Sequence, residues 1–319
     1  MDDARVRLPF AFSVELPPPS VPASGAYFGA YVNPDAAGGQ TQQEVTGFEA
    51  MIGRKLRVDH HYRSWDSSFD LHEPGEADEG WDVSNGRIPM ISQSESGSTT
   101  VGILDAINSG AEDRRIIDRA RRIRDFGHPL FYRLFWEMNG DWNAYNETLA
   151  STPGTHDGTE KYVRAWRRVH SLFQQEGATN AAFVWCPNAK DKPQTSTNHW
   201  TNYYPGDAYV DWVCADGYNR AADNGSSWKS FADIFRGVYD DYPQKPFMVG
   251  ETSSTENGGD KAQWIRDAHN YLKASMPRAR GFLWFHRGLE PGSSDWRVDT
   301  SSSSLQAYRE MGADPYLQR

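Results

Sequence analysis

Phe131-Tyr132-Arg133-Leu134-Phe135-Trp136-Glu137-Met138-Asn139-Gly140-Asp141-Trp142 is an apolar run of strand length that ends in an acid. Phe131, Leu134 and Phe135 are strand-like, and Met138-Asn139-Gly140 reads as a turn. Glu137 stands at the junction. A second junction of the same kind is Pro246-Phe247-Met248-Val249-Gly250-Glu251-Thr252. Parallel α/β barrels keep their chemistry there, at the C-terminal ends of the strands. Two carboxylates converging on one cleft would meet the needs of a retaining glycosidase, which are a proton donor and a nucleophile.

Working outward, eight segments read as strands: Tyr27–Val32, Leu56–His60, Ile88–Ser92, Pro129–Phe135, Ala182–Cys186, Val213–Asp216, Phe247–Gly250 and Gly281–Phe285. Helical periodicity lies between them. Tyr162, Trp166, Val169 and Phe173 share one helix face, and Trp264, Ala268 and Tyr271-Leu272 do the same before the last strand. Near-continuous apolar strands alternating with helices imply a parallel sheet, and eight strands close one into a (β/α)8 barrel. We expect a proline-rich arm over residues 1–24 and one catalytic domain over 25–319. The polar, glycine-rich loops Arg63–Arg87 and Gln93–Thr100 are expected to build the cleft.

Composition narrows the function. The chain has 319 residues, a net charge of −10 and 12 tryptophans. An acidic chain is a poor partner for nucleic acid. Most of the tryptophans are expected in the core, with the rest free to stack on sugar faces. The basic run Arg114–Arg124 carries Ile116, Ala120 and Ile123 at helical spacing and reads as a solvated helix face. No stretch approaches the roughly 18 apolar residues of a membrane span. Cys186 and Cys214, the only cysteines, read as two buried free thiols, with a disulfide as the second reading, and no metal-ligand spacing is present. Gly38-Gly39 and Gly258-Gly259 lack the strand and helix context of a phosphate cradle.

Glu137 is flanked by Trp136 and Trp142, so desolvation is expected to raise its pKa and keep it protonated. The competing reading pairs it with Arg133. Glu251 must stay ionised to attack, and Tyr218 is a candidate donor to it. The glycine before it, Gly250, would let backbone approach a ligand. The competing reading is a loop or capping glutamate. One of His60 and His61 is expected to face the cleft, because strand neighbours alternate sides. Asn188, His286 and the Asp295-Trp296-Arg297 segment follow strands or close the last loop, where a cleft role and plain packing are both open.

These blocks resemble glycoside hydrolase family 26, over about Tyr27 to Met311. The family pattern Arg-x-x-His-Glu-Met-Asn-Gly-x-Trp is matched by Arg133, Glu137, Met138, Asn139, Gly140 and Trp142. Leu104–Asp113, Tyr204-Pro205-Gly206, Val210–Val213, Asp216-Gly217-Tyr218 and Lys245–Glu251 resemble further family segments. The resemblance implies a (β/α)8 barrel with Glu137 as acid/base and Glu251 as nucleophile. Tyr218 would bond the nucleophile, and Arg133 would orient the carboxylates from below. Asp216 and Trp142 would line sugar subsites, with Trp284 as the platform under the reacting sugar. The carboxyl groups of a retaining pair stand about 5–5.5 Å apart.

One position departs from the family. Trp136 stands where the family has histidine, and an indole donates one hydrogen bond and accepts none. The resemblance implies endo-cleavage of β-1,4-mannan; the Trp136 departure favours β-1,3-xylan or β-1,3/1,4-glucan. A non-catalytic carbohydrate-binding barrel is the rival from another class. A barrel for phosphorylated metabolites lacks its glycine-rich loop on the last two strands. We expect a polysaccharide or oligosaccharide partner, no cofactor, no membrane contact and a monomer. Polymers that cells cannot import imply secretion, although Met1-Asp2-Asp3 opens no secretion signal.

Overall fold

The computed structural model describes residues 17–35, 39–67, 69–71, 77–94, 102–143, 157–220, 227–288 and 294–318. Most of the expected cleft loop Gln93–Thr100, a smaller part of Arg63–Arg87 and most of the proline-rich arm lie outside them. The strands are β1 (Ala26–Asn33), β2 (Val58–Ser64), β3 (Ile88–Ser94), β4 (Leu130–Leu134), β5 (Ala181–Trp185), β6 (Trp212–Asn219), β7 (Phe247–Ser254) and β8 (Ala279–Arg287). Each pairs in parallel with the next, and β8 pairs with β1. Gly29 against Val58 and Ala30 against Asp59 join β1 to β2 and close the barrel. A short strand, β9 (Leu317–Gln318), pairs in parallel with the start of β1 at Ala26 and Tyr27.

The helices are α1 (Gln42–Ile52), α2 (Glu79–Ser84), α3 (Ile103–Ser109), α4 (Asp113–Phe126), α5 (Asp157–Gln175), α6 (Phe231–Asp241), α7 (Lys261–Ser275) and α8 (Ser302–Ala313). Local chemistry fixes several starts. Thr41 and Glu44 form a reciprocal capping box on α1, and Ser230 and Asp233 form another on α6. On α4 the predicted apolar side is buried, but Arg119 joins it. Its guanidinium lies over the Trp65 ring and donates to the Trp65 carbonyl, so this face is not wholly solvated. No described helix is long and apolar enough to cross a membrane.

Strand alternation produces two apolar layers. Tyr27, Val58, Met90, Phe131, Val184, Trp212, Met248 and Leu283 fill the barrel interior. Leu130, Tyr132, Leu134, Phe183, Val213, Val249, Phe282 and Trp284 pack outward against the helices. Counting by two from these interior residues puts His60, Tyr62, Ser92, Arg133, Asp216 and Tyr218 inward, at the C-terminal end. β7 needs one correction to the count. Ala215 faces Val249 and Asp216 faces Glu251, so Gly250 is an extra residue. This irregularity returns Glu251 to the interior, where strict alternation from Met248 would have turned it outward.

Candidate active site

Glu137 follows β4 on a backbone that leaves the strand sharply. Phe135 has φ 43° and Glu137 φ 54°, both left-handed for side chains that rarely adopt it. Such residues cost about 1–3 kcal/mol each and persist only where surroundings enforce them. Here the Glu137 amide donates to the Cys186 carbonyl at 2.7 Å, and the Gly140 amide returns to the Glu137 carbonyl at 2.9 Å. The residue is 8% exposed. It accepts from Asn188 Nδ2 at 2.7 Å on one oxygen and from Trp142 Nε1 at 2.7 Å on the other. Burial, and then the negative charge of Glu251, push its pKa up to about 7 against these two hydrogen bonds. Arg133 is not its partner, so the simple ion-pair reading of Glu137 does not hold.

Asn188 owes its aim to Asn139. The Asn139 side chain donates to the Asn188 carbonyl and accepts from its amide, both at 2.8 Å. Trp142, at 47% exposure, is the large aromatic that opens most to solvent beside the acid. Trp136 is half-buried and packs on Tyr62 with ring centroids 5.2 Å apart. The Arg133 guanidinium lies 5.1 Å from the Trp136 ring centre.

Glu251 has different company. Its carboxylate accepts from Arg133 Nη2, from the Tyr62 hydroxyl at 2.5 Å and from the Tyr218 hydroxyl at 2.5 Å. Burial and the Glu251 charge push both phenols well above the ordinary tyrosine value, so they remain donors. Arg133 is fully buried and is held in turn by Asp216, at 2.6 and 2.8 Å, and by Ser92 at 2.6 Å. His60 lies 3.1 Å from Arg133 and 2.6 Å from Ser92. Burial and the Arg133 charge lower the His60 pKa well below normal, leaving a neutral ring.

Several expected roles change. Asp216 and His60 are both 0% exposed, so they lie beneath the cleft and brace Arg133, and neither lines a sugar subsite. Trp284 faces the helices. It packs on Tyr308 and Trp264 and donates to the Trp296 carbonyl, so it cannot lie under a sugar. Parity along β8 makes it outward, one step from the interior Leu283. Trp296 packs against Tyr218 at 4.8 Å but is only 4% exposed. His286 is buried outside the barrel against Phe48 and accepts from the Val298 amide. His61 bonds Asp82 at 2.5 Å on the outer face.

The cysteines are not free. Cys186, just past the end of β5, and Cys214, within the neighbouring strand β6, form a disulfide. Their predicted burial is present, but two apolar segments give no sign that they are sheet neighbours. Gly250 also has another reason than ligand approach. A Cβ there would sit 2.2 Å from Cys214 Sγ and 2.7 Å from an Asp216 oxygen.

Tyr62, Ser92 and Asn139 were not singled out from sequence as site residues. Tyr62 lies two residues past His60 on the same face of β2, and extending that strand would have found it. Ser92 was legible only as the last residue of a strand.

Residues 25–241 match the family model described as Glycosyl hydrolase family 26. The chain is 33% identical over 291 residues to Endoglucanase H of Acetivibrio thermocellus, covering 90% of this chain and 30% of that protein. It is 28% identical over 201 residues to "Mannan endo-1,4-beta-mannosidase A and B" of Caldalkalibacillus mannanilyticus, covering 60% of this chain and 34% of that protein. The chain thus spans about a third of the length of these two relatives. Among solved structures, a β-mannanase from Bacteroides ovatus superposes with a TM-score of 0.65 at 15% identity, covering 92% of this chain and 90% of that one. At that identity the likeness speaks for the barrel alone.

Proposed function

This chain belongs to glycosyl hydrolase family 26, and we propose that it cleaves a β-linked polysaccharide internally, by double displacement with retention. The observation that carries this reading is the unlike surroundings of two buried carboxyl groups. Glu137, pushed up to about 7, holds a proton that it can give to the glycosidic oxygen as that bond breaks. Glu251, aimed by a guanidinium and two phenols, attacks the anomeric carbon. Once Glu251 is esterified its charge is gone, and with it the part of the Glu137 shift that this charge causes. Glu137 then takes a proton from water, and that water displaces Glu251.

Trp142 and Trp136 are the proposed sugar contacts, with Asn188 positioning the acid. For the polymer, two features favour a β-1,3/1,4-glucan. Trp136 replaces the histidine, and the relative aligned over 90% of this chain is called an endoglucanase. β-1,4-Mannan is the second reading, favoured by the mannosidase relatives, and β-1,3-xylan is the third. We place the enzyme outside the cell, where a disulfide persists. We also propose that it acts as a monomer, with residues 25–319 as the catalytic domain. Val21 and Trp142 are the exposed large hydrophobics among the described residues, too few for an apolar docking patch.

The test is product sizing on glucomannan, galactomannan, β-1,3-xylan and mixed-linkage glucan, with Glu251→Ala alongside. Oligosaccharides from one polymer, absent with the variant and first released as the β-anomer by NMR, would support the reading. An inverted first product would sink the retaining mechanism. Binding without turnover would make the barrel a carbohydrate-binding protein.

A further inference from the structure

The catalytic reading uses neither cysteine, yet their disulfide touches the supports of both glutamates. Cys186 and Cys214 are fully buried among the interior side chains. The Cys186 carbonyl is the acceptor for the Glu137 amide at 2.7 Å and so anchors a residue of left-handed backbone. Cys186 Sγ lies 3.2 Å from Asp216 Oδ1 and 3.7 Å from Arg133 Nη1. Cys214 Sγ lies 3.9 Å from the same Asp216 oxygen. On the nucleophile side, a Cβ on Gly250 would be 2.2 Å from Cys214 Sγ and 3.1 Å from Cys186 Sγ. The residue before Glu251 is therefore seated directly on the bridge.

We propose that the Cys186–Cys214 disulfide is a positioning element of the active site, setting where both catalytic carboxyl groups stand, so that turnover as well as stability depends on its being oxidised. The inference rests on the roles proposed for Glu137 and Glu251. Its physical basis is twofold. First, a bridged sulfur carries no proton, so Arg133 donates to Asp216 without rivals. Two thiols would each bring an S–H donor beside Asp216 Oδ1 and loosen the hold of Asp216 on Arg133, and so of Arg133 on Glu251. Second, two unbonded sulfurs must separate to van der Waals contact. Gly250 already fills the adjacent space, so the nucleophile strand would move, and the Cys186 carbonyl that holds Glu137 would move with its own side chain.

The experiment compares four forms of the chain on the polymer that wild type hydrolyses. They are wild type, Cys186→Ala/Cys214→Ala, Cys186→Ser/Cys214→Ser, and wild type reduced with a water-soluble phosphine. In the reduction the phosphine takes an oxygen from water and becomes its oxide, while the bridge gains two electrons and two protons and becomes two thiols. Folding is followed by circular dichroism, with kcat, KM and the pH profile measured for each form.

A displacement of the order of 1 Å can cost about 100-fold in rate. The expected result is a fall of about 10–100-fold in kcat with KM little changed, in chains that remain folded. The serine pair should be worse than the alanine pair, because its hydroxyls compete for Asp216, and the alkaline limb of the profile should move. A lower Tm with unchanged kcat and pH profile would overturn the proposal. So would equal losses in the serine and alanine pairs, or failure of every unbridged form to fold, since each assigns the bond to stability. Activity surviving in Glu251→Ala would instead defeat the catalytic reading, whatever the bridge does.

Discussion

Glu137 hangs from a left-handed turn after β4 and accepts from an amide and an indole, whereas Glu251 sits within β7 and accepts from a guanidinium and two phenols. The side chain is the same and the burial is similar, at 8% and 5%. The partners differ in charge. Neutral donors leave burial and the nearby Glu251 in command of Glu137, so it keeps its proton. Opposite Glu251 stands a buried cation, Arg133. In the proposed mechanism one residue type would serve as acid and as nucleophile because the fold surrounds it differently, which is the general way a pair of carboxyls divides the work.

The sharpest way to break this contrast is to remove Glu251. Glu251→Ala should lower kcat by about 10⁴-fold or more, since the proposed mechanism forms its covalent intermediate on Glu251. Added azide, a small anion that fits the vacated space, should restore turnover and give the glycosyl azide of inverted configuration. Recovery of a retained product would mean that another residue is the nucleophile.

Next comes Glu137→Gln, which should cost about 10²–10⁴-fold on the natural polymer and far less on an aryl glycoside whose leaving group needs no proton. The same variant tests the raised pKa through stability. Glu137 is pushed from 4.5 up to about 7, so between those values the folded protein binds more protons than the unfolded chain. Stability is therefore lost as pH rises from about 4.5 towards 7, by roughly 1–3 kcal/mol. Glutamine does not titrate, so the variant should escape that loss and show the higher Tm at pH 8. A Tm gap independent of pH would contradict the assigned cause.

Trp284→Ala measures the contrast between site and scaffold. It should cost about 3–5 kcal/mol of stability as a core truncation, with KM little changed. A large rise in KM with little loss of Tm would return Trp284 to the cleft. The smallest effect belongs to Asn188→Ala. Its hydrogen bond lowers the Glu137 pKa, so removing it should raise that pKa and move the alkaline limb of the rate profile to higher pH. A limb that stayed in place would mean that Asn188 does not govern the acid.

Much of the barrel was readable because its cause is local. An apolar run such as Phe131–Phe135 needs cover on both faces, and the helical stripe of Tyr162, Trp166, Val169 and Phe173 supplies it on the outer one. The eight expected strands are present, some extending further than the reading gave them. The errors arose where a side chain's direction was needed. The family resemblance points Trp284 at the sugar, whereas parity with the interior Leu283 turns it outward. The reading of β2 ended at His60 and so missed Tyr62. The two cysteines gave no sign of pairing, because 28 residues separate partners that strand order alone makes neighbours.

By itself, then, the sequence determined a strand–helix alternation, its number of repeats and two glutamates at strand ends. These follow from hydrophobic period and turn chemistry, which act over a few residues. Tertiary structure decided what surrounds those glutamates. Closing the barrel brings Arg133 to Glu251 across 118 residues of chain and Asp216 to Arg133 across 83. One extra residue, Gly250, turns Glu251 to the interior. Such contacts depend on register and strand order, and no local pattern encodes either.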